Sequence, residues 1–192
     1  MKKLAQLMLL TAMLAIFGSP AAAATITFTT PGVVSGPFDV TITATDVFAG
    51  RTPDDLLLSF GFDVAVSDPT VVSYLGATSG PLFDPATTLP QATVFASAFG
   101  QNGFGVEPGV TEPLTIATLH FAAMGPGTAS ILITSDLANL FQGLQFANQP
   151  FAESIAADLS VTVAASPVPE PTTLLLSGIG LLGLAARRRL RG

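Results

Sequence analysis

Between Phe38 and Val66 the chain twice alternates apolar and polar side chains with a period of two, which a helix cannot satisfy. Phe38, Val40, Ile42 and Ala44 interleave with Asp39, Thr41, Thr43 and Thr45. Successive side chains of a strand point to opposite faces, so this stretch predicts a strand with one face in a core and one in water. Leu58 to Val66 repeats the pattern, with Phe60, Phe62, Val64 and Val66 on one side and Ser59, Gly61, Asp63 and Ala65 on the other. Asp68-Pro69 then turns the chain toward a further strand around Val71 to Leu75.

The rest of the body continues in this manner. Thr93 to Phe99 and Phe104 to Val106 flank Gly100-Gln101-Asn102-Gly103, whose Asn-Gly pair suits the positive backbone angles of a tight hairpin. Leu114 to Ala123 and Thr128 to Thr134 flank Gly125-Pro126-Gly127, which predicts a second hairpin. With Thr25 to Thr29 at the front and Leu159 to Val163 at the back, eight or nine strands are expected. A single helical turn near Asp136 to Phe141 is the exception to an otherwise helix-free body. Many short alternating strands joined by Gly/Pro turns point to an all-β sandwich rather than a nucleotide-binding α/β fold.

Composition narrows the function. A body over residues 25–163, about 140 residues, is the usual size of one domain and can bury a proper core. Of the fourteen phenylalanines all but Phe17 fall between Phe28 and Phe151, and they are expected to fill that core. Arg51 is the only lysine or arginine between Thr25 and Pro167, against twelve carboxylates, so the body carries a formal charge of −11. Such a surface repels nucleic acid and anionic membranes and offers no basic cluster for phosphate. Cysteine is absent, which leaves packing and strand pairing to stabilise the fold and rules out thiolate metal sites.

The two ends are of a different kind. Lys2 and Lys3 precede an apolar stretch from Leu7 to Phe17, then Gly18, Ser19, Pro20 and the small-residue run Ala21 to Ala24. Charge, apolar length and an A-x-A site together read as a secretory signal peptide over residues 1–24, with the mature chain starting near Ala24 or Thr25. At the other end, residues 164–171 read Ala-Ala-Ser-Pro-Val-Pro-Glu-Pro, where three prolines remove donors and fix an extended, exposed linker. Residues 172–186 carry no charge and include Leu174, Leu175, Leu176, Ile179, Leu181, Leu182 and Leu184. As a helix they span roughly 22 Å at about 1.5 Å per residue, less than the ~30 Å hydrocarbon core, so the expected membrane helix is a marginal anchor. Arg187, Arg188, Arg189 and Arg191 in the tail 187–192 stop transfer and stay cytoplasmic, which places the body outside. Gly178, Gly180 and Gly183 spell G-x-G-x-x-G, but the chain has only nine residues beyond them and no room for the strand-turn-helix-strand unit of a dinucleotide site.

This order of Pro-Glu-Pro, short apolar helix and arginine cluster resembles the PEP-CTERM sorting signal of bacteria that make exopolysaccharide. The resemblance implies that Val168, Pro169, Glu170 and Pro171 are recognised by an exosortase-type processing enzyme, after export and a transient stay in the inner membrane. A second resemblance covers most of the body: LLLSFGFDVAVSDPTVVSYLGATSG and LTIATLHFAAMGPGTASILI are similar to cohesin-like domains. It implies a jelly-roll β-sandwich in which the first segment is strand, D-P turn and strand, and the second a hairpin. It also implies binding to another protein or to glycan, with no catalysis.

The candidate chemistry is sparse. His120 is the sole histidine, placed by its strand with Ile116 and Thr118 on the face opposite Leu119 and Phe121, and reads as a hydrogen-bonded surface or partly buried side chain. A Ser-His-Asp triad has no G-x-S-x-G elbow to support it. Asp54 and Asp55 beside Arg51 read as a solvated turn with a weak surface ion pair. Asp46, Asp54, Asp55 and Asp136 are candidate oxygen ligands for low-affinity calcium, although no D-x-D-x-D-G loop is present. Absence of Trp and the single Tyr74 weaken a sugar-stacking platform. The expected function is a non-catalytic surface or matrix protein, exported and linked to exopolysaccharide or biofilm as an adhesion, scaffold or binding module. The alternatives are a polysaccharide-binding module or a glycoside hydrolase, the latter needing two carboxylates facing across a cleft.

Overall fold

A computed structural model of the protein describes residues 23–84, 87–88, 93–100 and 103–165. Residues 1–22 of the expected signal peptide, residues 166–171 of the expected linker with its Pro-Glu-Pro, the expected membrane helix over residues 172–186 and the terminal arginines lie outside the described residues. Within them the order is β1 (Thr25–Thr29), β2 (Val33–Val34), β3 (Phe38–Thr45), β4 (Leu57–Val66), β5 (Val72–Ser79), β6 (Thr87–Thr88), β7 (Thr93–Ser97), β8 (Phe99–Gly100), β9 (Gly103–Phe104), β10 (Leu114–Ala123), β11 (Gly127–Thr134), β12 (Gly143–Phe146) and β13 (Ala157–Val163). Nine of these have four residues or more, and eight of the nine lie on strands expected from the sequence; β12 has no counterpart in that reading, and the expected strand at Phe104 to Val106 shrinks to the two-residue β9. β2 and β6 are two-residue pairings that no periodicity can reveal.

Two sheets face each other. One runs β1-β3-β10-β5. The larger runs β2-β13-β11-β4-β7-β6, with β12 also pairing β4, and β8-β9 form a small hairpin of their own. Pairings are antiparallel except β2 with β13, where Thr162 meets Val33 and Val163 meets Val34 in parallel. This is the sandwich expected from the alternation.

The core is the set of inward positions of both sheets. Phe38, Val40, Ile42 and Ala44 from β3 meet Phe60, Phe62 and Val64 from β4, with Leu119 and Phe121 from β10 and Ile131 and Ile133 from β11. Full burial of such a side chain contributes about 1.5–3 kcal/mol. Ring pairs lock the arrangement: Phe60 meets Phe83 edge-on at 4.9 Å, and Phe38 stacks on Phe121 at 5.3 Å. The phenylalanines do not all serve the core, however, since Phe104, Phe141 and Phe151 are exposed.

Three other expectations need correction. Gly125-Pro126-Gly127 makes no hairpin, because β10 belongs to the smaller sheet and β11 to the larger. It is a corner between sheets, pressed against the other corner at Thr70-Val71. A side chain at Gly125 would reach the Thr70 carbonyl at 3.0 Å, Gly127 takes a φ of 151° beside Val71, and the Met124 amide donates to the Val71 carbonyl at 2.9 Å. Ile116 does not share the outer face with His120. A bulge between Thr115 and Ala117 puts both Ile116 and Ala117 in the core. Finally, the segment 135–142 contains no helix; its two successive turns are closed by Asn139 N–H to the Asp136 carbonyl and Gln142 N–H to the Asn139 carbonyl.

Candidate functional site

Arg51 lies in the β3–β4 connection, a stretch whose Gly50, Thr52 and Pro53 suggest water, yet its side chain is only 1 % exposed. Its guanidinium lies over the Phe146 ring, 3.4 Å from the centroid. Nε donates to the Val47 carbonyl at 2.9 Å, one terminal nitrogen to Asp55 Oδ2 at 3.0 Å, and the other to Glu153 Oε1. Asp55 is itself 1 % exposed, and its second oxygen accepts the Asn148 amide at 2.8 Å. Glu153, 21 % exposed, uses Oε2 to accept the Ala24 amide at 2.8 Å. The expected weak surface pair is therefore corrected to a buried charge cluster. Arg51 and Asp55 close a local turn, while Glu153 arrives from 102 positions away and ties the end of the body to its beginning.

Asp54, next in sequence to that cluster, turns to solvent. Its carboxyl is held below the usual carboxylate range chiefly by the Thr52 hydroxyl. Asp46, with a positive φ of 56°, and Asp136 are exposed on separate loops. Glu112 accepts the amides of Asp46 and Val47 at 2.7 and 2.9 Å, and Asp136 Oδ1 accepts the Ala138 amide at 3.0 Å. The four acids are thus not brought together, and no group of three or more metal-ligating side chains forms among the described residues.

The outer face of the larger sheet carries the most unusual surface. Residues 135–142 fold back over β4 instead of running outward, and Gly61 makes this close approach feasible: a Cβ there would stand 1.8 Å from the Phe141 carbonyl oxygen. Buried Gln142 fixes the segment. Its Nε2 donates to Asp63 Oδ2 at 2.8 Å, its Oε1 accepts the Asp136 amide, and Asp63 Oδ1 accepts the Thr93 hydroxyl at 2.5 Å. Ser135 adds a bond to the Gly61 carbonyl at 3.1 Å. With these polar groups satisfied underneath, Leu137, Leu140 and Phe141 are turned to water, Leu140 at 83 % exposure, and Phe95 of β7 braces Phe141 edge-on at 5.5 Å. A ridge of large apolar side chains on a polar base is the makeup of a contact surface. Sequence reasoning missed it because Leu137, Leu140 and Phe141 share neither the strand period nor a helix length. The available signal was three large apolar residues in a connection between strands.

On the opposite outer face, His120 bridges three strands. Nδ1 faces Asp39 Oδ1 of β3 and Nε2 faces the Thr78 hydroxyl of β5, each at 2.8 Å. The line of hydroxyl, imidazole and carboxylate is open to solvent, with the His120 side chain 39 % exposed. It works as a cross-strand staple on a face otherwise lined by Thr41, Thr118 and Thr29, which sit opposite one another in register. This agrees with the hydrogen-bonded surface histidine read from the sequence.

Comparison with known proteins bears on both parts of the chain. The family model described as the PEP-CTERM protein-sorting motif matches residues 167–189. No curated protein sequence matches the chain. Among solved structures, the cohesin module of a family 33 glycoside hydrolase from Clostridium perfringens is similar with a TM-score of 0.53 at 11% identity, covering 74% of this chain and 98% of that one. The third ScaB cohesin of R. flavefaciens, solved in complex with a group 1 dockerin, is similar with a TM-score of 0.46 at 12% identity, covering 77% and 100%. At such identities the likeness speaks to fold. The chain joins a cohesin-like β-sandwich to a PEP-CTERM protein-sorting motif.

Proposed function

We propose that the protein is exported, held in the inner membrane by residues 172–186, processed by an exosortase-type enzyme at Val168–Pro171, and then acts at the cell surface or in its exopolysaccharide matrix as a non-catalytic binding module. The observation that carries the binding role is the ridge of Leu137, Leu140 and Phe141 held over β4. Its occupant is a partner protein. Exposed leucines gain most from being dried against another apolar protein surface, whereas sugar is gripped best by Trp and Tyr, and here Trp is absent and the single tyrosine packs against the core. Asp63, the carboxylate beneath the ridge, is occupied by Gln142 and Thr93.

Processed protein applied to intact host cells tests this reading. Binding is expected to fall roughly tenfold or more in Leu140→Asp/Phe141→Asp, the loss of a central hot spot, and to disappear when the cells are first treated with protease. Equal binding of the double variant overturns it. So does binding that survives protease and is reproduced by purified exopolysaccharide, which would establish the glycan as the ligand instead.

A further inference from the structure

The charge cluster around Arg51 is incomplete in the unprocessed chain. Arg51 is one positive charge against Asp55 and Glu153, so the group holds a surplus negative charge at a site where two of the three side chains are almost fully removed from water. Burial of unbalanced charge is costly, and a neutral set is strongly preferred. No other lysine or arginine exists between residues 23 and 165 to supply the missing cation. What does reach the free oxygen of Glu153 is a backbone nitrogen, that of Ala24, at 2.8 Å. Ala24 also packs its methyl against the core, whereas Ala23 before it is exposed.

We infer that signal-peptide cleavage falls between Ala23 and Ala24, and that the α-ammonium group it creates is the fourth member of the Arg51–Asp55–Glu153 cluster. Water is the co-reactant and a membrane signal peptidase the catalyst. The Ala23–Ala24 peptide bond breaks, Ala23 leaves as a carboxylate, and the Ala24 nitrogen takes up protons to become a cation. The sum of charges around Arg51 then becomes zero, and a neutral amide hydrogen bond to Glu153 becomes a charge-assisted one, roughly twice as strong. Of the two cuts that the Ala21–Ala24 run permits, the one before Thr25 would discard this nitrogen and leave Glu153 Oε2 without its donor. The body therefore closes on its own new terminus. The cut must come before that closure, since Ala24 is held against the core in the finished fold.

The test uses the protein as exported by its host. Lys2 and Lys3 are the only lysines and leave with the signal peptide, so the α-amine is the sole primary amine of the processed chain and an amine-acylating reagent reports on it alone. Mass spectrometry is expected to find Ala24 at the amino end. Acylation of the native protein is expected to be roughly tenfold or more slower than that of the same protein in denaturant, the protection a charge-assisted hydrogen bond gives. Glu153→Gln should bring the native rate to within about threefold of the denatured one. Protein acylated in denaturant and then refolded should melt below its unmodified counterpart, a readout that needs no variant and so survives misfolding of Glu153→Gln. An amino end at any residue other than Ala24, equal acylation rates in the native and denatured wild type, or equal melting of the acylated and free forms overturns the inference.

Discussion

Two polar clusters of this molecule use the same ingredients, a nitrogen cation or base between oxygen partners at hydrogen-bonding distance, and differ in their access to water. Asp39–His120–Thr78 lies open on the smaller sheet, while Arg51–Asp55–Glu153 is sealed between the β3–β4 connection and β12. An exposed pair is screened by water and salt and contributes little, whereas a buried charge that loses its partner is left with the full desolvation penalty. The contrast teaches that burial, and not the contact distance, decides which cluster the fold depends on.

The largest expected effect is at the sealed cluster. Arg51→Ala should lower the unfolding free energy by about 3–5 kcal/mol, since it strands Asp55 without a cation. Urea unfolding measures this. Replacing Arg51 and Asp55 together by Met and Leu, with Glu153 kept for the Ala24 nitrogen, should recover part of the loss, because no fully buried carboxylate is then left without its cation. A double variant as weak as the single one would break the comparison.

Next in size is Gly61→Ala, where the new methyl meets the Phe141 carbonyl oxygen at 1.8 Å. Forcing residues 135–142 outward should cost about 1–3 kcal/mol and weaken partner binding at the same time. The result would show whether the larger sheet depends as much on its close-packed cover as on its charges.

Tyr74 gives a smaller effect with a defined sign. Burial pushes its phenol up to about 12 from the ordinary 10, and its buried hydroxyl oxygen has no hydrogen-bond partner. Below pH 10 the folded and unfolded chains both hold this proton. Between 10 and 12 only the unfolded chain releases it, so stability should fall as pH rises through that window. As the single tyrosine in a chain without tryptophan, it can be followed by ultraviolet absorbance alone. Tyr74→Phe should be neutral or slightly stabilising, because it removes an unsatisfied buried group.

The smallest effect belongs to the open cluster. A double-mutant cycle on His120→Gln and Asp39→Asn is expected to yield a coupling of about 0–1 kcal/mol that fades in 1 M salt. Coupling energies of equal size and salt sensitivity at the Arg51 cluster would erase the distinction.

What the sequence disclosed follows from range. The alternations at Phe38–Thr45 and Leu58–Val66 identified strands and their buried faces, since strand periodicity is local and one-sided burial leaves it visible. One extra residue at the Thr115–Ala117 bulge was enough to move Ile116 from the expected outer face into the core. Gly125-Pro126-Gly127 correctly marked a reversal, but turn chemistry does not specify whether the next strand joins the same sheet or the facing one. Arg51 was unreadable for a different reason. Its environment depends on Glu153 and Phe146, both distant in the chain, and nothing in Arg-Thr-Pro-Asp-Asp distinguishes a buried cation from a solvated one.

The parallel contact of β2 with β13 has a mechanical consequence. Val163 lies beside Val34, and the Ala164 amide still donates to the Val34 carbonyl at 2.8 Å, so the chain leaves the body along the axis of a strand gripped on both edges. β13 is paired with β11 over seven consecutive residues. A force drawn along β13 would load those rungs together in shear instead of peeling them one by one, which makes this strand hard to slide out of its sheet.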